Sequence, residues 1–234
     1  MLTLLQANTA DLLIQEAAAP EKMSLIKMAV AGGWLMLVLL ALSIIAVYIL
    51  GSRWWAIRQA TRTDPHFMDN IRSLLREGKS QAALALCRET RSPIARLIEK
   101  GIRMQGRPLQ DIQAAVENVG NIEVSKIEKG LPMLATVAGG APMVGFLGTV
   151  IGMIQAFYNM ASAGSNIDIT MLSDGIYTAM VTTVGGLIVG IIAYFGYNWL
   201  TARIDDLVFK MDSATIALLD IFNGQGTNDG KEEI

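Results

Sequence analysis

The stretch AGGAPMVGFLGTVIGMIQAF, Ala138–Phe157, runs for twenty residues without one Asp, Glu, Lys or Arg, and its small residues recur every three or four positions. Ala138, Pro142, Gly145, Thr149, Gly152 and Ala156 share one side of a helix, while Met143, Leu147, Val150, Ile154 and Phe157 run along another. The periodicity predicts a helix, and the missing charge predicts that its surroundings are apolar. The charge-free run extends in both directions, from Gly130 to Ile167 (38 residues), and two others exist, Met28–Ser52 (25 residues) and Gly175–Ala202 (28 residues). A bilayer core of ~30 Å needs about 20 helical residues, so each run is long enough to cross.

Composition agrees. The 234 residues are 52% hydrophobic and only 17% charged, with a mean hydropathy of +0.41, too apolar for an ordinary soluble domain or a disordered chain. A single cysteine, Cys87, excludes an internal disulfide and reads as a small buried apolar side chain. The predicted fold is an all-α membrane protein, with three transmembrane helices and long helical cytoplasmic extensions.

Charge placement predicts orientation. Of the 19 Lys and Arg, 14 lie in residues 51–130, two before residue 28 and three from Arg203 onward. Near the span ends, Arg53, Arg58, Arg62, Lys126, Lys129, Arg203 and Lys210 stand against Lys22 and Lys27. That bias puts residues 51–130 and the C-terminus in the cytoplasm and the N-terminus outside. The expected organisation is an N-terminal periplasmic segment (1–27), span one (28–52), a cytoplasmic helical domain (53–129), span two (130–160), a periplasmic loop (161–174), span three (175–202), and a cytoplasmic C-terminal helix and tail (203–234). No cleaved signal is expected, since Asp11 and Glu16 interrupt the apolar pattern of the first residues. Leu2, Leu5, Leu12 and Leu13 fit a short interfacial helix and fit a frayed terminus equally well.

Within 53–129, Phe67, Ile71, Leu74 and Leu75 predict one helix that Gly78 stops. Ser80 is placed to cap a second helix, and Ser92 with Pro93 starts a third. Gly106–Pro108 breaks that one before a long helix from about Leu109, expected to enter span two without interruption because no proline follows until Pro132. Nine acids lie among the fourteen bases of the region, so it reads as a solvated surface near membrane lipid and not as a nucleic-acid interface.

Span three repeats the division by size. Ala179, Thr183, Gly186, Gly190 and Ala193 form a small stripe against Tyr177, Val181, Val184, Ile188, Ile191 and Phe195. Gly148–Gly152 and Gly186–Gly190 are both GxxxG, a spacing that lets helices approach closely. Each small stripe holds one hydroxyl, Thr149 in one and Thr183 in the other. Tyrosines aside, whose pKa is near 10, the three runs carry no ionisable side chain. A chain of this kind has no group of its own to carry a proton through the membrane; if it moves protons, a partner must supply the titrating group, which the two threonines can then hydrogen-bond together with its waters. An enzyme is disfavoured: His66 is the single histidine, and no nucleophile pair, metal-ligand cluster or cofactor motif appears.

AGGAPMVGFLGTVIGMIQAF, with GIYTAMVTTVGGLIVGIIAYFGYN (Gly175–Asn198) and GKSQAALALCRETRSPIARLIEKG (Gly78–Gly101), resembles the ExbB, TolQ and MotA proton-channel family, and most closely its three-span ExbB and TolQ branch. The combination of Pro142, Gly145, Gly148, Thr149 and Gly152 with Thr183 and Gly186 carries the likeness. The resemblance implies a bacterial inner-membrane homopentamer enclosing the single spans of two ExbD- or TolR-like partners. Their aspartate would face Thr149 and Thr183, and the assembly would turn proton-motive force into movement of a TonB-like or Tol-type periplasmic partner. One position departs from the pattern: many members carry a glutamate five residues before the third-span threonine, where this chain has Thr178. With Thr178, Thr182 and Thr183 all present, a sodium-driven unit stays open as an alternative, as does a passive membrane scaffold.

Overall fold

The computed structural model describes residues 32–61, 64, 66–162 and 169–229. The expected interfacial helix at the N-terminus, residues 163–168 of the expected 161–174 loop and the last residues of the tail lie outside that set. The described residues are mostly helical, joined by short turns, and hold no strand. In order they form α1 (Trp34–Ala60), α2 (Phe67–Arg76), α3 (Ser80–Glu89), α4 (Pro93–Arg103), α5 (Leu109–Glu128), α6 (Leu131–Ser162) and α7 (Ile169–Asp229). Three helical stretches are long and apolar enough to cross a membrane: Trp34–Ala60, Leu109–Ser162 and Leu172–Gly224. The described residues divide into two compact units, one within 32–38 and 145–185 and one within 39–144 and 186–229.

In the larger unit, α2 to α5 bury stripes at helical spacing: Phe67, Ile71 and Leu75 on α2; Ala83 and Cys87 on α3; Ile94, Leu97, Ile98 and Ile102 on α4; Ile112, Val116 and Ile127 on α5. The last part of α7 supplies a fifth, with Leu200, Ile204, Leu207, Met211, Leu218 and Ile221 buried at alternating steps of four, three and seven. Gly101 lies where three of them meet. A side chain added there would collide with the tip of Leu218 and lie 3.3 Å from Val116, so α4, α5 and α7 meet at this glycine.

The starts and stops divide into those the sequence expressed and those it hid. Ser92 caps α4 as expected, accepting the Ala95 N–H at 3.1 Å with Pro93 behind it. Gly78 and Gly106 take φ of +70° and +90°, the left-handed backbone that favours glycine at a stop. Ser80 does not cap α3; Lys79 holds the cap position, and the Ser80 hydroxyl instead bonds Gln105 at 2.9 Å. The expected unbroken passage from α5 into α6 is also corrected. Lys129 and Gly130 interrupt it, with Gly130 at φ +95° and its carbonyl accepting the Leu134 N–H. A glycine that takes positive φ can end a helix where no proline is present.

Two ion clusters tie the short helices together. Glu123 is buried on α5, where Arg96 of α4 reaches it at 2.6 Å and Lys126 at 2.7 Å. Burial alone would raise its pKa, but the two cations outweigh this and hold it below the ordinary carboxylate value. Glu99 is held low by the Arg103 hydrogen bond, with burial opposing and Arg88 helping.

Candidate functional site

In the smaller unit the second half of α6 and the first part of α7 run antiparallel, and small residues set how closely. A Cβ on Gly152 would stand 2.9 Å from the Ala179 Cβ and 3.0 Å from the Gly175 carbonyl oxygen. One on Gly175 would stand 2.6 Å from Ala156, and one on Gly148 would collide with Thr182. Three layers therefore stack along the pair: Ala156 with Gly175, Gly152 with Ala179, and Gly148 with Thr182.

The two stripe hydroxyls meet in the next layer. Thr149 and Thr183 are hydrogen-bonded to each other across the helices. Around them lie two backbone carbonyls: Gly145 O, 3.4 Å from Thr149 Oγ1 and 3.2 Å from Thr183 Oγ1, and Ala179 O, 3.4 and 3.3 Å away. Two hydroxyls have two protons to give. If one donates to its partner, the other must donate to a carbonyl, and the roles can be exchanged by rotating two O–H bonds. Both side chains are half-buried, whereas the layer of Gly145, Gly148 and Gly152 beside them is buried.

The other predicted residues have different settings. Thr182 is 1% exposed and donates to Ala179 O at 2.8 Å, so its hydroxyl is satisfied within its own helix while its body fills the space over Gly148. Thr178, half-buried, lies one turn before it, and its carbonyl also accepts from the Thr182 hydroxyl at 3.3 Å. The structure thus brings the Thr149 and Thr183 hydroxyls together, with Thr182 sharing the Ala179 carbonyl as an acceptor and the Thr178 side chain bonded to neither.

Pro142, Gly186 and Gly190 belong to the larger unit. Gly186 and Gly190 are buried, and a Cβ on Gly190 would stand 2.6 Å from Pro142 Cδ and 3.1 Å from Ala138 O. Proline leaves the Ala138 carbonyl without its usual N–H donor inside α6, and glycine is what lets the facing helix come against that point. Most of the bulky stripe is exposed, including Met143, Leu147, Ile154, Phe157, Val184, Ile188, Ile191 and Phe195. Val181 departs from its stripe and is buried at 5% exposure.

Gly175 and the Ala179 carbonyl were not singled out by the sequence. Gly175 continues the small stripe one turn before Ala179, but it follows Asp174 directly and so read only as the first residue of a charge-free run. Outside this region, His66 is exposed with Nδ1 4.0 Å from Asp69. Cys87 is buried, its thiol pushed up to about 12 chiefly by desolvation and further by the Glu99 charge, which makes it a poor nucleophile.

Residues 89–213, more than half of the chain, match the MotA/TolQ/ExbB proton channel family. The chain belongs to that family. A member named as a biopolymer transport protein ExbB homolog, from Methanothermobacter thermautotrophicus, is 31% identical over 157 residues, covering 67% of this chain and 55% of its own. The Tol-Pal system protein TolQ of Pseudomonas aeruginosa is 28% identical over 184 residues, 74% of this chain and 79% of TolQ. The biopolymer transport protein ExbB of Xanthomonas campestris is 32% identical over 111 residues, 47% of this chain and 44% of the relative. The match takes in α4, α5, α6 and about the first three quarters of α7, so both threonines lie within it. With its three long apolar helices, this ExbB/TolQ relative is a multi-pass membrane protein.

Proposed function

We propose that this chain is the channel subunit of an inner-membrane motor, and that the Thr149–Thr183 pair lies on its ion path. The observation that carries the reading is the pairing itself: the two hydroxyls of the small stripes hydrogen-bond each other inside runs that hold no carboxylate, imidazole, ammonium or guanidinium. A hydroxyl pair that exchanges donor and acceptor roles can solvate a charge without titrating. The titrating group comes from an ExbD- or TolR-like single-span partner, two copies of which occupy a pore formed by five copies of this chain. Its aspartate takes a proton on one side, passes the threonines and releases it on the other. The movement this drives is delivered to a TonB-like or Tol-type periplasmic protein, with the C-terminus and the 53–129 domain cytoplasmic, the N-terminus periplasmic, and spans near 28–52, 130–160 and 175–202. Thr178 and Thr182 lie on the same path, Thr182 packed over Gly148 and Thr178 one turn before it, and the ion is a proton, with sodium as the alternative.

Co-expression with the single-span partner tests this. Thr183→Val keeps the branched shape and removes the hydroxyl, so the complex should purify intact while energy-dependent uptake falls about tenfold or more, the equivalent of at least about 1.4 kcal/mol on the transfer barrier. Thr183→Ser should keep most of the activity. Wild-type uptake by Thr183→Val would reduce the pair to packing and leave the scaffold reading in its place.

A further inference from the structure

The two helices that leave the apolar layer beside each other carry the same short pattern, tryptophan followed four residues later by arginine. On α1 these are Trp54 and Arg58, and on α7 Trp199 and Arg203. In both, the guanidinium carbon lies 5.7 Å from the indole centroid, a cation–π distance. Both pairs face one cleft of about 340 Å³, whose remaining lining is Ile57, a buried apolar residue, and Thr61. The helices are packed together just before it, where Gly196 lies against Leu50.

The position is that of a membrane–water boundary. The charge-free run of α1 ends at Ser52 and that of α7 at Ala202, and both tryptophans are about half exposed, as indoles are at the level of lipid headgroups. The charge is unbalanced. No carboxylate lines the cleft, Arg58 has no acidic partner among the described residues, and Arg203 meets only the exposed Asp206 at 4.0 Å. Two cations on one small cleft repel each other unless an anion lies between them, and a guanidinium on an aromatic face still presents its N–H edge to a phosphate.

We infer that this cleft binds the phosphodiester of an anionic glycerophospholipid, such as phosphatidylglycerol, between Arg58 and Arg203, with the indoles bordering its glycerol region. The site is independent of the threonine pair and of the identity of the transported ion.

The test uses the full chain in its assembled state, reconstituted in vesicles of equal phosphatidylglycerol and phosphatidylcholine, extracted in mild detergent, and assayed for retained lipid by native mass spectrometry. Phosphatidylglycerol should be retained over phosphatidylcholine, and the preference should fall about fivefold in Arg58→Gln or Arg203→Gln and more than tenfold in the double variant. Arg53→Gln removes a charge equally near the membrane but outside the cleft, and should leave the preference unchanged. Millimolar inorganic phosphate should not displace the lipid. Equal retention of the two lipids by the unaltered protein would overturn the proposal without recourse to any variant. So would an equal loss in Arg53→Gln, which would reduce the effect to general surface charge, or displacement by inorganic phosphate, which would make the ligand a free anion.

Discussion

At the scale of single residues, the α6–α7 pair is governed by what glycine omits. Gly152 faces the Ala179 Cβ and the Gly175 backbone oxygen, and neither can swing aside as the tip of a long side chain can. Gly152→Ala should therefore cost about 1–3 kcal/mol by overpacking, read as a lower midpoint of thermal unfolding in detergent. Gly51→Ala, where nothing lies within 4 Å of the added carbon, should be neutral or stabilise by up to ~1 kcal/mol through helix propensity. An unchanged midpoint for Gly152→Ala would show that the helices separate at little cost. The threonines follow a different logic, because the hydroxyls of Thr149 and Thr183 add little to stability: membrane hydrogen bonds are worth only ~0.6 to 2 kcal/mol. Loss of such a bond is tolerable for assembly and intolerable for a chain of donors and acceptors.

At the scale of elements, the short helices are joined by ion pairs as well as by apolar stripes, and the Arg96–Glu123 contact between α4 and α5 makes this testable. Glu123 has its pKa lowered from 4.5 in the folded chain, so below that value the unfolded chain binds the additional proton and stability declines as pH falls. Arg96→Ala should cost about 1–3 kcal/mol at neutral pH, since it leaves a buried carboxylate with Lys126 alone, and the variant should lose less than the unaltered chain on acidification. Parallel pH profiles of thermal unfolding for the two would remove the pair from the account. The same helices show how far local sequence reaches. Ser92 was legible because Ser-Pro expresses both the side-chain acceptor and the fixed φ of a first turn. Ser80 was not, because its hydroxyl is taken by Gln105, 25 residues on. The break at Gly130 was concealed by good helix formers before it and an apolar run after it, and nothing local distinguishes a glycine that will take φ +95° from one that stays helical. The buried stripe of Leu207, Met211 and Leu218 was passed over because charges surround it, though its spacing of four and seven was there to read. The threonine pair was legible as two stripes with one hydroxyl each, but the Ala179 and Gly145 carbonyls beside them follow from helix register, which one helix alone does not express.

At the scale of the whole molecule, a chain whose apolar spans lack any titrating acid or base cannot by itself complete a proton cycle, and this is why the proposal requires a second kind of subunit. Five copies around two partner helices would repeat the Thr149–Thr183 pair around the pore, so that a moving aspartate meets one equivalent pair after another. Bulky exposed residues such as Phe146, Ile154 and Phe195 would then be divided between lipid and neighbouring subunits. The most direct measurement of the central claim is proton flux through the purified two-protein complex in sealed vesicles, followed with an internal pH-sensitive dye under an imposed potential. The unaltered complex should acidify the vesicle interior at a rate that the combined Thr149→Val and Thr183→Val substitutions reduce about tenfold or more, with the same amount of partner retained. Unchanged flux through that doubly substituted complex would contradict the account.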